Sequence, residues 1–350
     1  MPVAILTQMG RSNASTRHRA LQHVDRLARR VGEVRICVPP DGPARRPGPL
    51  GRMRFFGGHA VRYARHRGDV AQTLDGCDAV LVQRGLYPMG PAWITGVLDG
   101  FGGRVVLDID DALMSFSPSL AAASPATRWL YGPRQARRVL QRADAVTVST
   151  SALAHALPDG RRADAILPTV PEPGRYAVAR HGPRRPLRVA WVGNAGNLGC
   201  LDPLRDVVRR LRADGTAQLE VVCDRAWDGP AGFRRWREAD EPTLFARYDV
   251  GIMPLPDTAY TRAKAGFKLL QYLAAGLAVV ASPVGANVEI VRTSAGGRLA
   301  SDAADWEAAL RELAAQPALR AAMGARGRAW LEGYADLEHQ ADVLASLLTT

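Results

Sequence analysis

A short apolar strand, a loop of small or polar residues and an amphipathic helix follow one another repeatedly along this chain, and that order restricts its fold more than any single residue does. The first half offers strands at Pro2–Gln8, Val34–Val38, Asp78–Arg84, Arg104–Asp108, Ala145–Ser149 and Ala165–Pro168; the second begins again with Leu187–Val192, Leu219–Cys223, Tyr248–Pro254 and Leu277–Ala281. Apolar strands separated by helical segments point to parallel, doubly wound α/β sheets. A chain of 350 residues fills two such domains, each with its own core. Turn-rich Pro171-Glu-Pro-Gly and His181-Gly-Pro-Arg-Arg-Pro put the linker between about residues 170 and 186. Ligands of open parallel sheets bind at the carboxyl ends of strands, so the loops that follow strands are where function is sought.

Two rare residue types mark those loops. Only two of the 46 Lys+Arg are lysines, Lys264 and Lys268, and the chain has only four asparagines, Asn13, Asn194, Asn197 and Asn287. Both types should be scarce in a chain this rich in Ala, Arg, Gly and Pro, although turn chemistry alone favours asparagine in loops. Lysine is a compact point charge and arginine a planar fork, so two lysines four residues apart suggest positions where guanidinium does not substitute. Leu269, Leu270, Leu273 and Ala274 recur at helical spacing, which predicts a helix from Gly266 to Gly276. A glycine start leaves the N–H groups of Phe267, Lys268 and Leu269 as anion donors. Lys268 and Gln271 share a face, and Lys264 lies just before the first turn. This is a diphosphate cradle with a polar side chain one turn beyond it.

The segment Lys-x-Gly-Phe-Lys-Leu-Leu-Gln-Tyr-Leu-Ala-Ala-Gly, followed by Val-Val-Ala-Ser-Pro-Val-Gly, resembles the donor site of the retaining GT-B glycosyltransferases, family 4 type (glycosyl transferases group 1). The resemblance implies two Rossmann-like domains facing a central cleft: an acceptor domain (1–175), a nucleotide-sugar domain (176–330) and a C-terminal helix (331–350) crossing back onto the first. It implies transfer of a sugar from a nucleoside diphosphate sugar, the donor substrate, to a hydroxyl acceptor, with retention and without a cofactor or metal. Arg262, Lys264, Gly266, Phe267, Lys268 and Asn194 would hold the diphosphate, and Gln271 and Trp236 the ribose and base. Many members carry two glutamates separated by seven residues; Ala263 and Gln271 stand there in this chain, so the sugar-side carboxylate is missing. From the residues alone, Trp236 reads first as a buried core residue and only second as a base contact. Asn13 and Arg17 would lie near the acceptor and Asn197 and Asn287 elsewhere in the cleft, Arg17 and Arg19 lying in a segment similar to the Ser-x-Arg-x-Arg of some members; solvated first-turn charge is the other reading.

Asp108-Ile-Asp-Asp111, after the fourth strand, is the densest acidic cluster. An Asp-x-Asp at a strand end suits Mg²⁺ or Mn²⁺ against a diphosphate. In the family it resembles, this strand end faces the acceptor, so Asp110 or Asp111 would orient and deprotonate a hydroxyl. Structural capping is the third reading. Rival functions follow: a metal-dependent transferase using Asp108 to Asp111, a non-catalytic nucleotide-binding partner protein, or a basic peripheral membrane scaffold.

The net charge of +12 favours anionic partners. With 6% aromatic residues and no matching motif, nucleic acid is not expected. The Pro-, Gly- and Arg-rich stretch from Pro39 to Phe56, with Arg45, Arg46, Arg52, Arg54, Phe55 and Phe56, reads as a solvated loop or as a contact with an anionic membrane or lipid-linked acceptor. A basic amphipathic helix is predicted from Thr127 to Arg142, carrying Trp129 and Tyr131. Cys37, Cys77, Cys200 and Cys223 lack metal-ligand spacing, and no secretory signal is apparent, so the expected location is cytoplasmic, with the inner membrane face as a peripheral site.

Overall fold

The computed structural model describes residues 1–41, 49–87, 95–111, 113, 125 and 134–350. The chain forms two compact units, Met1–Thr169 with Leu337–Thr350, and Val170–Asp336. Each is built around a six-stranded, all-parallel sheet.

In the first unit the strands β1 (Val3–Thr7), β2 (Val34–Cys37), β3 (Ala79–Gln83), β4 (Arg104–Ile109), β5 (Ala145–Val148) and β6 (Ala165–Ile166) lie in the order β2-β1-β3-β4-β5-β6. The chain winds one way from β1 to β2 and the other way from β3 onward, so the switch point falls between β1 and β3. β1, β3 and β5 are buried along their whole length, as strands covered on both faces must be. The helix Val24–Val31 buries Leu27 and Val31 on this sheet, and the last helix, Leu337–Thr349, adds Leu344, Ala345 and Leu348 to the same core. Glu338 and Asp342 of that helix pair with Arg29 and Arg30.

The second unit contains β7 (Leu187–Val192), β8 (Ala217–Cys223), β9 (Gly232–Arg235), β10 (Val250–Met253), β11 (Ala278–Ala281) and β12 (Gly297–Leu299), in the order β12-β11-β10-β7-β8-β9. Counted within the unit this is the Rossmann order, with its switch point between β7 and β10. Its core joins Val189, Trp191, Leu201, Val208, Val221, Ile252, Val280, Trp306 and Leu313.

Several boundaries differ from the sequence expectation. The unit boundaries fall at 169/170 and 336/337 rather than at 175/176 and 330/331. The expected linker is packed rather than exposed: Val170, Tyr176 and Ala179 are buried, and the N–H groups of Ala177 and Ala179 bond the carbonyls of Pro242 and Ala275. β9 and β12 went unread because one is an Arg-rich edge strand and the other has three residues. A helix spans Pro49–Leu74, where the sequence suggested loop as far as Phe56; proline at the first helical position fits that start. Helix is present at Arg134–Arg142, while Trp129 and Tyr131 lie outside the described residues, as do Arg45 and Arg46 and the side chains of Arg52, Arg54, Phe55 and Phe56. All four cysteines are free thiols, and among the described residues no helix is long and apolar enough to cross a membrane.

Candidate functional site

The second unit gathers the lysine-bearing segment at its switch point. The helix Phe267–Ala274 follows the loop after β10, so its N-terminus stands at the carboxyl edge of the sheet. Tyr272 pins it there. Its hydroxyl accepts the N–H of Val192, at the end of β7, at 2.9 Å and lies 3.4 Å from the carbonyl of Ile252 in β10. The two strands diverge beyond the Ala190–Gly251 pair, and the phenol serves the backbone groups that no longer meet. Gly251 makes room for the ring, because a Cβ there would lie 2.2 Å from it.

Gly266 caps this helix with φ +67°, a left-handed conformation that glycine adopts without strain. A Cβ at this position would lie 2.6 Å from Ile290 Cδ1 and 3.5 Å from Asn287 Oδ1. Asn287 is therefore not an open cleft residue. It is the second residue of the helix Ala286–Ser294, 1% exposed, donating to the Ser282 carbonyl and packed under the glycine start. The set of three amide donors is also smaller than expected, since the Leu269 N–H bonds the Gly266 carbonyl at 2.9 Å.

The two lysines are held against neutral groups. Lys264 Nζ lies 4.7 Å from the centroid of the Tyr260 ring, a cation–π contact. Lys268 Nζ donates to Gln271 Oε1 at 2.7 Å. Gln271 is completely buried, and its Nε2 donates to Tyr176 Oη at 2.9 Å; the phenol in turn donates to Glu241 Oε1 at 3.2 Å. Burial first, then the Glu241 charge, hold the Tyr176 phenol well above its ordinary pKa, so it stays a donor. This corrects the ribose assignment for Gln271: both ends of its amide are engaged, and no part of it reaches the surface. Tyr176, Glu241 and Tyr272 escaped the sequence reading. Tyr176 lies in a turn-rich stretch, and nothing local marks Glu241 as a buried acid.

Arg262, a predicted phosphate ligand, grips Asp257 with both fork nitrogens, Nε–Oδ1 2.6 Å and Nη2–Oδ2 2.9 Å, on the exposed surface. Asn194 and Asn197 fold their own loop: the Asn197 Nδ2 donates to Asn194 Oδ1 at 3.1 Å, and its N–H to the Asn194 carbonyl. A cavity of about 530 Å³ opens among the loops after β7, β10, β11 and β12, lined by Gly196, Cys200, Pro254, Asp257, Ser282 and Trp306 among others. Neither lysine lines it; the thiol of Cys200, in its wall, is raised in pKa by burial and lowered in part by the charge of Lys264. Trp236, at the end of edge strand β9, is half-exposed rather than core, and it does not line the cavity.

The first unit's carboxyl edge is built differently. Arg19, in a π-helical turn spanning Thr16–Ala20, is 5% exposed and forks onto Asp108, which also accepts from Thr147 Oγ1 at 2.6 Å. Arg84, held at φ +67° after β3, pairs with both Asp110 and Asp111. Burial alone would raise the Asp110 carboxyl; Arg84, with Arg19 and a Ser15 hydrogen bond, outweighs it and keeps the pKa below the usual range. This corrects the general-base assignment for Asp110, a paired and nearly buried carboxylate that is a poor proton acceptor. Asp111 keeps a third of its side chain exposed. Among the described residues no group of three or more His, Cys, Asp or Glu is arranged to hold a metal ion. Asn13 accepts the N–H of Ser15, and Arg17 donates to the Ser12 carbonyl at 2.7 Å, so both order the loop after β1.

Comparison with known proteins follows this division. Residues 187–316 match the family profile described as glycosyl transferases group 1. No curated protein matches the chain in sequence. Among solved structures, HepE of Anabaena in complex with UDP and glucose is 15% identical over 99% of both chains with a TM-score of 0.67. Sucrose-phosphate synthase of Thermosynechococcus elongatus gives the same identity, coverage and TM-score. WaaG, a glycosyltransferase of lipopolysaccharide biosynthesis, is 15% identical over 100% of both chains with a TM-score of 0.63. Residues 187–316 are thus similar to the glycosyl transferases group 1 domain, and the two parallel sheets place the chain in the GT-B fold.

Proposed function

We propose that this protein transfers a sugar from a nucleoside diphosphate sugar to a hydroxyl acceptor, with retention of configuration. The observation that carries the reading is the placement of the chain's only two lysines: both stand at the carboxyl edge of a Rossmann-ordered sheet, at a glycine-started helix pinned to the switch point. In that position Lys264, Lys268 and the helix N-terminus stabilise the negative charge that grows on a leaving diphosphate. The cavity of about 530 Å³ among the loops at the same edge of the sheet is of the size that takes a nucleotide. HepE, solved with UDP-glucose, supports a uridine nucleotide as the first donor to try.

The acceptor surface is assigned to the first unit's carboxyl edge, around Asn13, Arg17 and Asp111. A role for Asp108 and Asp110 as metal ligands is not favoured, because Arg19 and Arg84 already occupy their oxygens. Charge stabilisation on the diphosphate then comes from lysine and backbone.

A thermal-shift screen of UDP, GDP, ADP, TDP and their sugars tests the donor class, followed by donor turnover with and without EDTA. Stabilisation by one nucleoside diphosphate and its sugar is expected, with turnover that survives chelation. No shift with any nucleotide overturns the reading. Binding without turnover toward any hydroxyl acceptor would instead make the chain a nucleotide-binding partner protein, and loss of turnover on chelation would restore a metal.

A further inference from the structure

Gln271 stands where the resembling family carries a glutamate, and its surroundings give the change a consequence. The hydrogen bonds Lys268 Nζ→Gln271 Oε1 (2.7 Å), Gln271 Nε2→Tyr176 Oη (2.9 Å) and Tyr176 Oη→Glu241 Oε1 (3.2 Å) all run in one direction. An ammonium can only donate and an ionised carboxylate can only accept. The link between them must therefore accept at one end and donate at the other, which an amide does and a carboxylate does not. A phenol has one proton, and here Glu241 takes it. Tyr176 is 5% exposed and Gln271 0%, so water does not complete the set. Tyr176 is braced by Phe245, whose ring centroid is 5.7 Å away, and Phe245 packs edge-on against Tyr272, 5.6 Å away. The relay thus rests on the same aromatic cluster that pins the helix to the switch point.

We infer that Gln271 is a positioning residue that aims the Lys268 ammonium at an anionic ligand, and that it is neutral because the carboxylate of this network, Glu241, belongs three hydrogen bonds away from the lysine. The inference rests on the proposed diphosphate role of Lys268. A carboxylate at 271 would bind the ammonium as an ion pair and compete with phosphate for it. It would also face Glu241 across a phenol that can satisfy only one of them.

The pair can be exchanged. In Q271E alone the relay loses its donor, and Tyr176 stands between two buried acids. In the double variant E241Q/Q271E every bond has a partner again: the amide now at position 241 donates to Tyr176, and the phenol donates to the carboxylate now at position 271, which also holds Lys268. A purely structural role predicts that the exchange restores everything. A positioning role predicts that it restores the melting temperature but not anion affinity.

The experiment measures binding of inorganic pyrophosphate and of UDP by calorimetry, with Tm, for wild type, K268M, Q271E, E241Q/Q271E and Q271L. The expected result is a near-wild-type Tm for the exchange variant, with affinity for both ligands at least about tenfold weaker, the scale of one charge-assisted hydrogen bond. Equal loss for pyrophosphate and UDP is expected in Q271L, because the effect passes through the lysine. A selective loss for UDP would make Gln271 a ribose ligand and overturn the inference, as would wild-type affinity in the exchange variant. Unchanged affinity in a folded K268M would instead overturn the diphosphate site itself. An exchange variant that does not fold leaves Q271L to decide, since it removes the amide without adding charge.

Discussion

The carboxyl edges of the two sheets use charge in opposite ways. In the first unit, arginines and aspartates close on one another: Arg19 with Asp108, and Arg84 with Asp110 and Asp111. In the second unit, the two lysines rest on a tyrosine ring and on a neutral amide. Paired buried charge holds a fold and has little left to offer a ligand, whereas a cation set on polarisable or neutral groups keeps most of its field. The difference teaches where to look for ligand chemistry in a chain of +12 net charge: at the two lysines, and not at the densest cluster of ionisable groups.

The sharpest test of that contrast removes one cation from each edge. Arg19→Met strands Asp108 in a site where it is 2% exposed, and should lower unfolding free energy by about 3–5 kcal/mol. Arg19→Met/Asp108→Leu should recover much of it, since both charges are then gone. Lys268→Met should cost about 1 kcal/mol or less in urea unfolding, the worth of one hydrogen bond, yet weaken nucleoside diphosphate binding by about 1.5–3 kcal/mol. If Arg19→Met were benign to stability and Lys268→Met unfolded the protein, the two edges would have been assigned the wrong way round.

A second difference lies in the response to acid. His23, 2% exposed in the first unit, is pushed down to about 3, by burial first and then by Arg19 and Arg26. Its Nδ1 has no hydrogen-bond partner. The folded state keeps it neutral, while the unfolded chain takes up a proton below about pH 6.5. Stability is therefore complete above that pH and falls as the pH drops toward the folded value, by about 1.4 kcal/mol per unit, or about 2 kcal/mol at pH 5. Thermal unfolding from pH 7.5 to 4.5 should show the decline, and His23→Leu should flatten it; an equal slope in the variant would assign the acid lability to other groups.

Much of this was legible in the sequence, and the failures share a cause. The parallel strands declare themselves because burial on both faces demands continuous apolar runs, as in Ala79–Gln83 and Ala145–Val148. The helix start at Gly266 and stop at Gly276 were legible because both glycines adopt positive φ, +67° and +70°. What local pattern does not carry is long-range pairing. Asp110 looks like a base until Arg84 closes on it, and Gln271 looks like a ribose ligand until Tyr176, 95 positions earlier, is seen to bind its amide. Asn287 looks like a loop residue until the missing side chain of Gly266 is seen to leave room for it and for Ile290.

The smallest expected effect concerns Arg262, a predicted diphosphate ligand whose observed partner is acidic. Arg262 forks onto Asp257, with 62% and 56% of the two side chains exposed, so it stands apart from both patterns: a pair like those of the first unit, placed on the edge of the second. An exposed pair of this kind is worth little and exchanges readily with solvent. If Arg262 belongs to the donor site, an incoming diphosphate competes with Asp257 for its fork, and releasing the arginine should help binding. Asp257→Asn should then tighten pyrophosphate binding by about twofold to fivefold at low salt, the range an exposed pair supports. The gain should fade as ionic strength rises and the Debye length shrinks to about 8 Å at 0.15 M. Arg262→Gln in the same background should erase it, which separates release of the arginine from simple loss of a negative charge beside the cavity. A gain that persists without Arg262 would mean that Asp257 repels the ligand directly; no gain at all would remove Arg262 from the donor site and leave the two lysines to hold the diphosphate.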